Sequence, residues 1–199
     1  MDIIGVTGNI GSGKSTVCRI LNRLGAVVVD ADKLGHQTYR PDSSTWQEII
    51  DVFGRAIVSA DNEIDRQKLG QLVFSCPASL DRLNRIVHPQ IRKAAQDKIG
   101  SCLLQKVETV AFEASLLVEA GWKDLVDTIW LVVTSEEKVI QRVVNNKENT
   151  EASILARLKT QMPVQEKMEY ADELIYNDGN LSQLESRIKE LWQKMPARS

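Results

Sequence analysis

At 199 residues, 43% hydrophobic and 26% charged, the chain has the make-up of a globular protein long enough to bury one sizeable core. A formal net charge of -2 gives no electrostatic argument for a nucleic-acid or anionic-membrane partner, so neither is expected, and the apolar runs are strand-sized, too short to span a bilayer. Cys18, Cys76 and Cys102 are odd in number without metal-ligand spacing, and the N-terminus runs into a strand with no signal-peptide pattern, so a reducing, cytoplasmic setting is expected.

Ile3-Ile4-Gly5-Val6 reads as a buried strand. Gly8-Asn9-Ile10-Gly11-Ser12-Gly13-Lys14-Ser15 follows and fits G-x-x-x-x-G-K-[ST], the phosphate-binding loop. Val17, Ile20, Leu21 and Leu24 then recur at helical spacing, with Cys18 among them as a packed small hydrophobe. Val27 to Val29 forms a second strand ending in Asp30-Ala31-Asp32, at the strand end that faces the ligand crevice of an open α/β sheet.

A helical segment comes next. Ser44 with Gln47 resembles a capping box ahead of Trp46, Ile49, Ile50 and Phe53, and Gly54 stops that helix. Asp65 caps a helix carrying Leu69, Leu72, Val73 and Phe74. Pro77 opens another, which His88-Pro89 is expected to interrupt, with a further helix from Pro89 to Ile99. The sheet resumes at Val107 to Phe112, closing on Glu113, and continues at Thr128 to Val133. Thr134 to Glu137 caps a helix, Asn145 to Thr150 reads as a polar loop, and a helix follows from Thr150. Leu174-Ile175-Tyr176 is the last strand, and Ser182 with Glu185 caps the final helix. Alternating strands and helices imply an α/β fold with a parallel sheet. Its working parts are a nucleotide core (1–33, 106–143 and 170–199), a helical acceptor-binding insertion (34–105) and a lid (144–169).

The loop points to a nucleoside triphosphate. Its glycines let backbone amides turn toward phosphate oxygens, Lys14 reaches the β- and γ-phosphates, and Ser15 offers a hydroxyl to Mg²⁺. Asp32 is the candidate general base, and an N-cap role for Asp30 or Asp32 is the alternative. Glu113 stands where a carboxylate supports Mg²⁺ through water, or else caps a helix. His88 reads as an acceptor ligand or as a structural residue. Arg142 and Arg157 flank the lid as candidate transition-state cations or as surface charges. Asn146-Lys147-Glu148-Asn149 ends in Asn where a guanine-reading motif needs Asp, which disfavours a GTPase. Trp46, Trp122, Trp130 and Trp192 are scattered and read as packing residues.

Over nearly its whole length the chain resembles the dephospho-coenzyme A kinases. The landmarks are Val6 to Thr16, Val29 to Asp32, Val52-Phe53-Gly54, Arg66 to Phe74, His88 to Ile91, Leu116 to Glu119, Gln141-Arg142, Arg157 to Gln161, Ala171-Asp172, and Asn177 with Gly179. The stretch Glu113 to Trp122 is also similar to the kinase domain of the bifunctional animal coenzyme A synthase. The resemblance implies a P-loop NTPase fold with an adenylate-kinase-like core of five parallel strands. It implies ATP-dependent phosphorylation of the ribose 3′-hydroxyl of dephospho-coenzyme A, the last step of coenzyme A biosynthesis. It makes Gly8, Asn9, Ile10, Gly11, Ser12, Gly13, Lys14, Ser15 and Thr16 the ATP loop and Asp32 the catalytic acid. His88, Leu116, Leu117 and Glu119 then lie on the acceptor side. Three departures stand out: Asn9 for a frequent glycine, Glu113-Ala114-Ser115 for the usual Asp-Ile-Pro, and Asn146 for a lid arginine. Lys147 is the neighbouring cation that can substitute there, leaving Arg142 as the lid's arginine. A nucleoside or nucleotide monophosphate kinase of the same fold, and a P-loop binding protein without catalysis, are the competing readings.

Overall fold

The computed structural model describes residues 1–144 and 151–195. The chain divides into two compact units, one built from Met1–Asp30 with the chain from Ile99 onward, the other from Ala31–Lys98.

The first unit is organised by a five-stranded sheet in the order β2-β3-β1-β4-β5. Its strands are β1 (Asp2–Thr7), β2 (Val27–Asp30), β3 (Thr109–Glu113), β4 (Thr128–Val133) and β5 (Glu173–Tyr176), and every pairing is parallel. Parallel strands are covered on both faces, which is why these segments are apolar runs rather than alternating ones. In β3 all five residues are buried. The helix α1 (Lys14–Arg23) packs Val17, Ile20 and Leu21 into the same core as Leu184, Ile188 and Leu191 of the last helix. Gly5, at the centre of β1, leaves room for Leu117: a Cβ there would stand 2.8 Å from Leu117 Cδ1.

The second unit begins directly after β2. Helix α2 (Ala31–Thr38) leads to α3 (Ser44–Phe53), a short 3-10 turn at Arg55–Ile57, α4 (Arg66–Phe74) and α5 (Pro77–Leu104). The N-cap alternative for Asp30 or Asp32 implies a helix here, and Gly35 within it is a poor helix former. A Cβ there would meet Ile91 Cδ1 at 3.0 Å, so a side chain at this position requires Ile91 to shift by a few tenths of an ångström.

The expected break at His88-Pro89 does not occur, since α5 runs 28 residues with Pro89 inside it. A proline in a helix interior costs about 3 kcal/mol. The apolar face continues past it, with Leu80, Leu83, Ile86, Val87 and Ile91 packed into one cluster with Trp46, Ile49 and Ile57. Full burial of such a side chain contributes about 1.5–3 kcal/mol, so Val87 and its four partly buried neighbours together offset the lost backbone bond.

Helix α3 is capped by Ser43, whose Oγ accepts from Trp46 N at 3.1 Å, one residue earlier than expected. After β4 come α6 (Glu136–Val144), α7 (Glu151–Thr160), the short α8 (Val164–Met168) and, beyond β5, α9 (Leu181–Lys194). The cap of α9 is Asn180, which forms a reciprocal capping box with Gln183. This pair has the same three-residue spacing as Ser182 with Glu185 and comes first in the chain. The polar stretch 145–150 lies outside the described residues. No helix among the described residues is long and apolar enough to cross a membrane.

Candidate active site

The phosphate loop joins β1 to α1 with Gly8, Gly11 and Gly13 at φ of 143°, 74° and 101°. Side chains rarely adopt such angles. At Gly8 space is also lacking: a Cβ would stand 2.5 Å from the Val132 carbonyl oxygen and 2.8 Å from Ser12 Oγ. Helix α1 opens on Gly13 with no side-chain cap and no acidic residue in its first turn. The positive end of its dipole therefore faces the loop with no capping side chain.

The loop is held from outside. The Ser12 carbonyl accepts from Thr134 Oγ1 at 2.9 Å and from Asn177 Nδ2 at 2.7 Å. The Ile10 N–H donates to Gln161 Oε1 at 2.9 Å. Sequence reasoning gave Thr134 only a helix-capping role, and Asn177 and Gln161 entered as a turn residue and as family-like landmarks, none of them as a support of the loop. Their partners lie more than a hundred residues away in the chain, so no local pattern exposes them.

Lys14 is buried, and its ammonium donates to the carbonyls of Gly8 at 2.9 Å and Asn9 at 3.1 Å. The cation is thus held at the loop itself. Ser15 Oγ donates to Glu113 Oε1 at 2.6 Å. Glu113 ends β3 in register with Val6 on one side and Asp30 on the other. Burial pushes its carboxyl above the usual range, the Ser15 hydrogen bond pulls it back, Asp30 raises it further, and Lys14 and Cys18 oppose that rise. Cys18 is buried, and its thiol is held strongly protonated, first by burial and then by the Glu113 charge, so it packs as a small hydrophobe. Beside the loop, Gly13, Thr16, Asn177, Gly179, Leu181 and Leu184 line a cleft of about 220 Å³.

The segment after β3 also belongs to this unit. Leu116 is half-buried, while Leu117 is fully buried beneath Gly5. Glu119 Oε1 accepts from Met162 N at 3.1 Å and pairs at 2.9 Å with the ammonium of Lys167, a wholly buried side chain.

Asp32 and His88 belong to the other unit. Asp32 lies in the first turn of α2 and is exposed, two residues past Asp30, and His88 is half-buried within α5. In that unit Lys33, His36, Tyr39, Arg40, Glu63 and Arg66 line a cleft of about 280 Å³. Burial raises the Tyr39 hydroxyl, the Arg66 charge lowers it and the Asp32 charge raises it, so both charges act on this ring. The backbone of Arg142 lies in α6 and that of Arg157 in α7. Lys147 lies outside the described residues.

The donor set suits a hard cation. Ser15 and Glu113 present oxygens 2.6 Å apart, and no group of three or more His, Cys, Asp or Glu able to hold a metal occurs among the described residues. Mg²⁺ characteristically takes one or two protein oxygens and completes its shell with phosphates and water.

The dephospho-CoA kinase family model matches residues 2–183. A dephospho-CoA kinase of Geobacter sulfurreducens is 41% identical over 194 residues, covering 98% of both chains. One from Dehalococcoides mccartyi is 38% identical, covering 96% of both. Among solved structures, a protein of Thermus thermophilus superposes with a TM-score of 0.78 at 34% identity, covering 98% of both chains. Dephospho-CoA kinase from Campylobacter jejuni superposes with 0.70 at 25%, covering 97% of this chain and 96% of that one. Shikimate kinase from Acinetobacter baumannii, at 18% identity and a TM-score of 0.54, shares the fold. With its phosphate loop, its strand order and this match along nearly its full length, the chain belongs to the dephospho-CoA kinase family.

Proposed function

We propose that the protein transfers the γ-phosphate of ATP to the ribose 3′-hydroxyl of dephospho-coenzyme A, giving coenzyme A and ADP in the last step of coenzyme A biosynthesis. The observation that carries this reading is the phosphate loop of a family member, with Lys14 held at its mouth and Ser15 bonded to Glu113.

Gly8 to Thr16 bind the triphosphate through amides and the α1 dipole. The neighbouring cleft, with Leu181 and Leu184 beside Asn177, suits the adenine and ribose. Lys14 places its charge on the β- and γ-phosphates. Ser15, and Glu113 through water, hold Mg²⁺, which when bound neutralises charge on the phosphate oxygens. Asp32 accepts the proton of the 3′-hydroxyl as that oxygen bonds to the γ-phosphorus, and the bond from phosphorus to the β-phosphate oxygen breaks to release ADP. Arg142, Arg157 and Lys147 are the cations of the lid region. His88 and Leu116 serve the acceptor side, while Leu117, buried against Gly5, and Glu119, paired with Lys167, support their segment from within.

Dephospho-coenzyme A carries a pyrophosphate between its adenosine and its pantetheine arm. Lys33, Arg40 and Arg66 around one cleft supply the cations such a group requires, with His36 beside them. Three free cysteines fit a reducing compartment, and the cytoplasm is the expected place of work.

The test is ADP release at saturating ATP and Mg²⁺ across a panel of acceptors. Dephospho-coenzyme A should support turnover, while nucleoside monophosphates and shikimate should not. Comparable turnover with a nucleoside monophosphate overturns the assignment, as does no acceptor-dependent ADP at all.

A further inference from the structure

We infer that Gln161 is a positioning residue for the phosphate loop, and that the buried Lys167–Glu119 pair is the mount that holds it in place. The inference rests on the reading of the loop as an ATP site.

Within the loop, the Asn9 carbonyl accepts from Ser12 N at 3.1 Å and from Lys14 Nζ at 3.1 Å. Ile10 and Gly11 form the apex of that turn. The Ile10 N–H is held by Gln161 Oε1 at 2.9 Å, across 151 residues. An apex peptide tied on one side can no longer rotate freely, and amides aimed before the ligand arrives bind it at a smaller entropic cost.

Gln161 is itself fixed. It follows α7 directly, and its own N–H donates to Leu158 O at 3.2 Å. The next amide, Met162 N, donates to Glu119 Oε1. Five residues on, Lys167 is 0% exposed, with its ammonium 2.9 Å from both Glu119 Oε1 and the Ser115 carbonyl. A buried ammonium cannot leave such acceptors without a large loss. Residues 161–167 therefore have one seat against the segment after β3, and Gln161 reaches the loop from that seat. The choice of side chain also follows. A glutamine accepts the N–H without placing a negative charge beside a triphosphate, as a glutamate of the same length would.

The experiment compares wild type with Gln161→Met and Gln161→Glu in the full-length protein. It reads the Kd for ATP by calorimetry, the KM for dephospho-coenzyme A and the melting temperature. Methionine keeps the volume and loses the acceptor. We expect roughly fivefold weaker ATP binding, the size of one net hydrogen bond, with the acceptor KM unchanged. Glutamate keeps an acceptor, so a merely structural role leaves it like wild type. Positioning beside phosphates instead predicts a larger loss for glutamate, one that shrinks as salt rises. ATP binding unchanged in Gln161→Met, or ATP and acceptor weakened equally, overturns the inference. Should Gln161→Met not fold, Gln161→Glu decides alone, through its ATP affinity and salt dependence. A wild-type protein that binds no ATP overturns the loop reading itself, a separate failure.

Discussion

Ser15 Oγ and Glu113 Oε1 meet at 2.6 Å although 98 residues separate them in the chain. The bond ties the first turn of α1 to the end of β3, the strand beside β1. It brings together the two oxygens proposed to serve Mg²⁺. Replacing Glu113 with Gln keeps a hydrogen-bonding group of the same size and removes the charge. The Mg²⁺ concentration for half-maximal activity should rise about 10–100-fold, the usual cost of losing a supporting carboxylate. Turnover measured against Mg²⁺ at fixed ATP checks this, and an unchanged requirement removes Glu113 from the metal's surroundings.

Asp32→Asn should lower kcat by about 10²–10⁴-fold, the range for a lost general base, while ATP still binds with its wild-type Kd. Steady-state kinetics and nucleotide titration on the same preparation separate the two effects. Near-normal turnover rules out Asp32 as the base.

The cationic cleft predicts a different signature. Arg40→Ala or Lys33→Ala should raise the KM for dephospho-coenzyme A about tenfold or more, the weight of one hydrogen bond to a charged group. The KM for ATP should not move, and the acceptor effect should shrink as ionic strength rises. A change confined to ATP places the acceptor's pyrophosphate elsewhere.

Lys167 makes stability depend on pH at the alkaline end. Burial lowers its pKa below the ordinary value of 10.5, against the opposing pull of Glu119. The folded protein therefore gives up this proton before the unfolded chain does. Between the lowered value and 10.5 the unfolded chain binds more protons, so this group's contribution rises with pH and falls away as pH drops through the lowered value. Lys167→Met leaves Glu119 without its cation and should cost about 3 kcal/mol. Its deficit against wild type should widen as pH climbs through that window. Urea denaturation of both proteins from neutral to alkaline pH measures it, and a constant deficit contradicts the sign.

What the sequence disclosed depended on how far apart the cooperating residues lie. The loop from Gly8 to Ser15 was legible because its chemistry sits in consecutive residues, and the strands because each is an uninterrupted apolar run. Thr134, Asn177, Gln161 and Lys167 act on partners 48 to 165 residues away. None carries a local signature of that task. Local rules also misled where packing overruled them. Pro89 was expected to stop a helix that its apolar neighbours carry through. Gly35 obscures the extent of α2, where its missing Cβ lets Ile91 pack closely. The displaced caps at Ser43 and Asn180 show the same limit in miniature, since several polar residues in one turn fit the capping pattern equally well.

The pairing of β1 has a consequence for how the chain acquires its structure. Asp2 is in register with Thr109, and Ile4 with Thr128. During synthesis β1 therefore finds neither neighbour until the chain has been made as far as Thr109 and Thr128. Loop closure over such separations is slow, and folds dominated by distant pairings reach the native state late. During synthesis the apolar run around Ile4 and Val6 would wait unpaired, while the local contacts of the Ala31–Lys98 unit can form first. That waiting strand is the segment most open to misassociation on the ribosome. The residues at the heart of the finished sheet are thus the ones that depend longest on the rest of the chain.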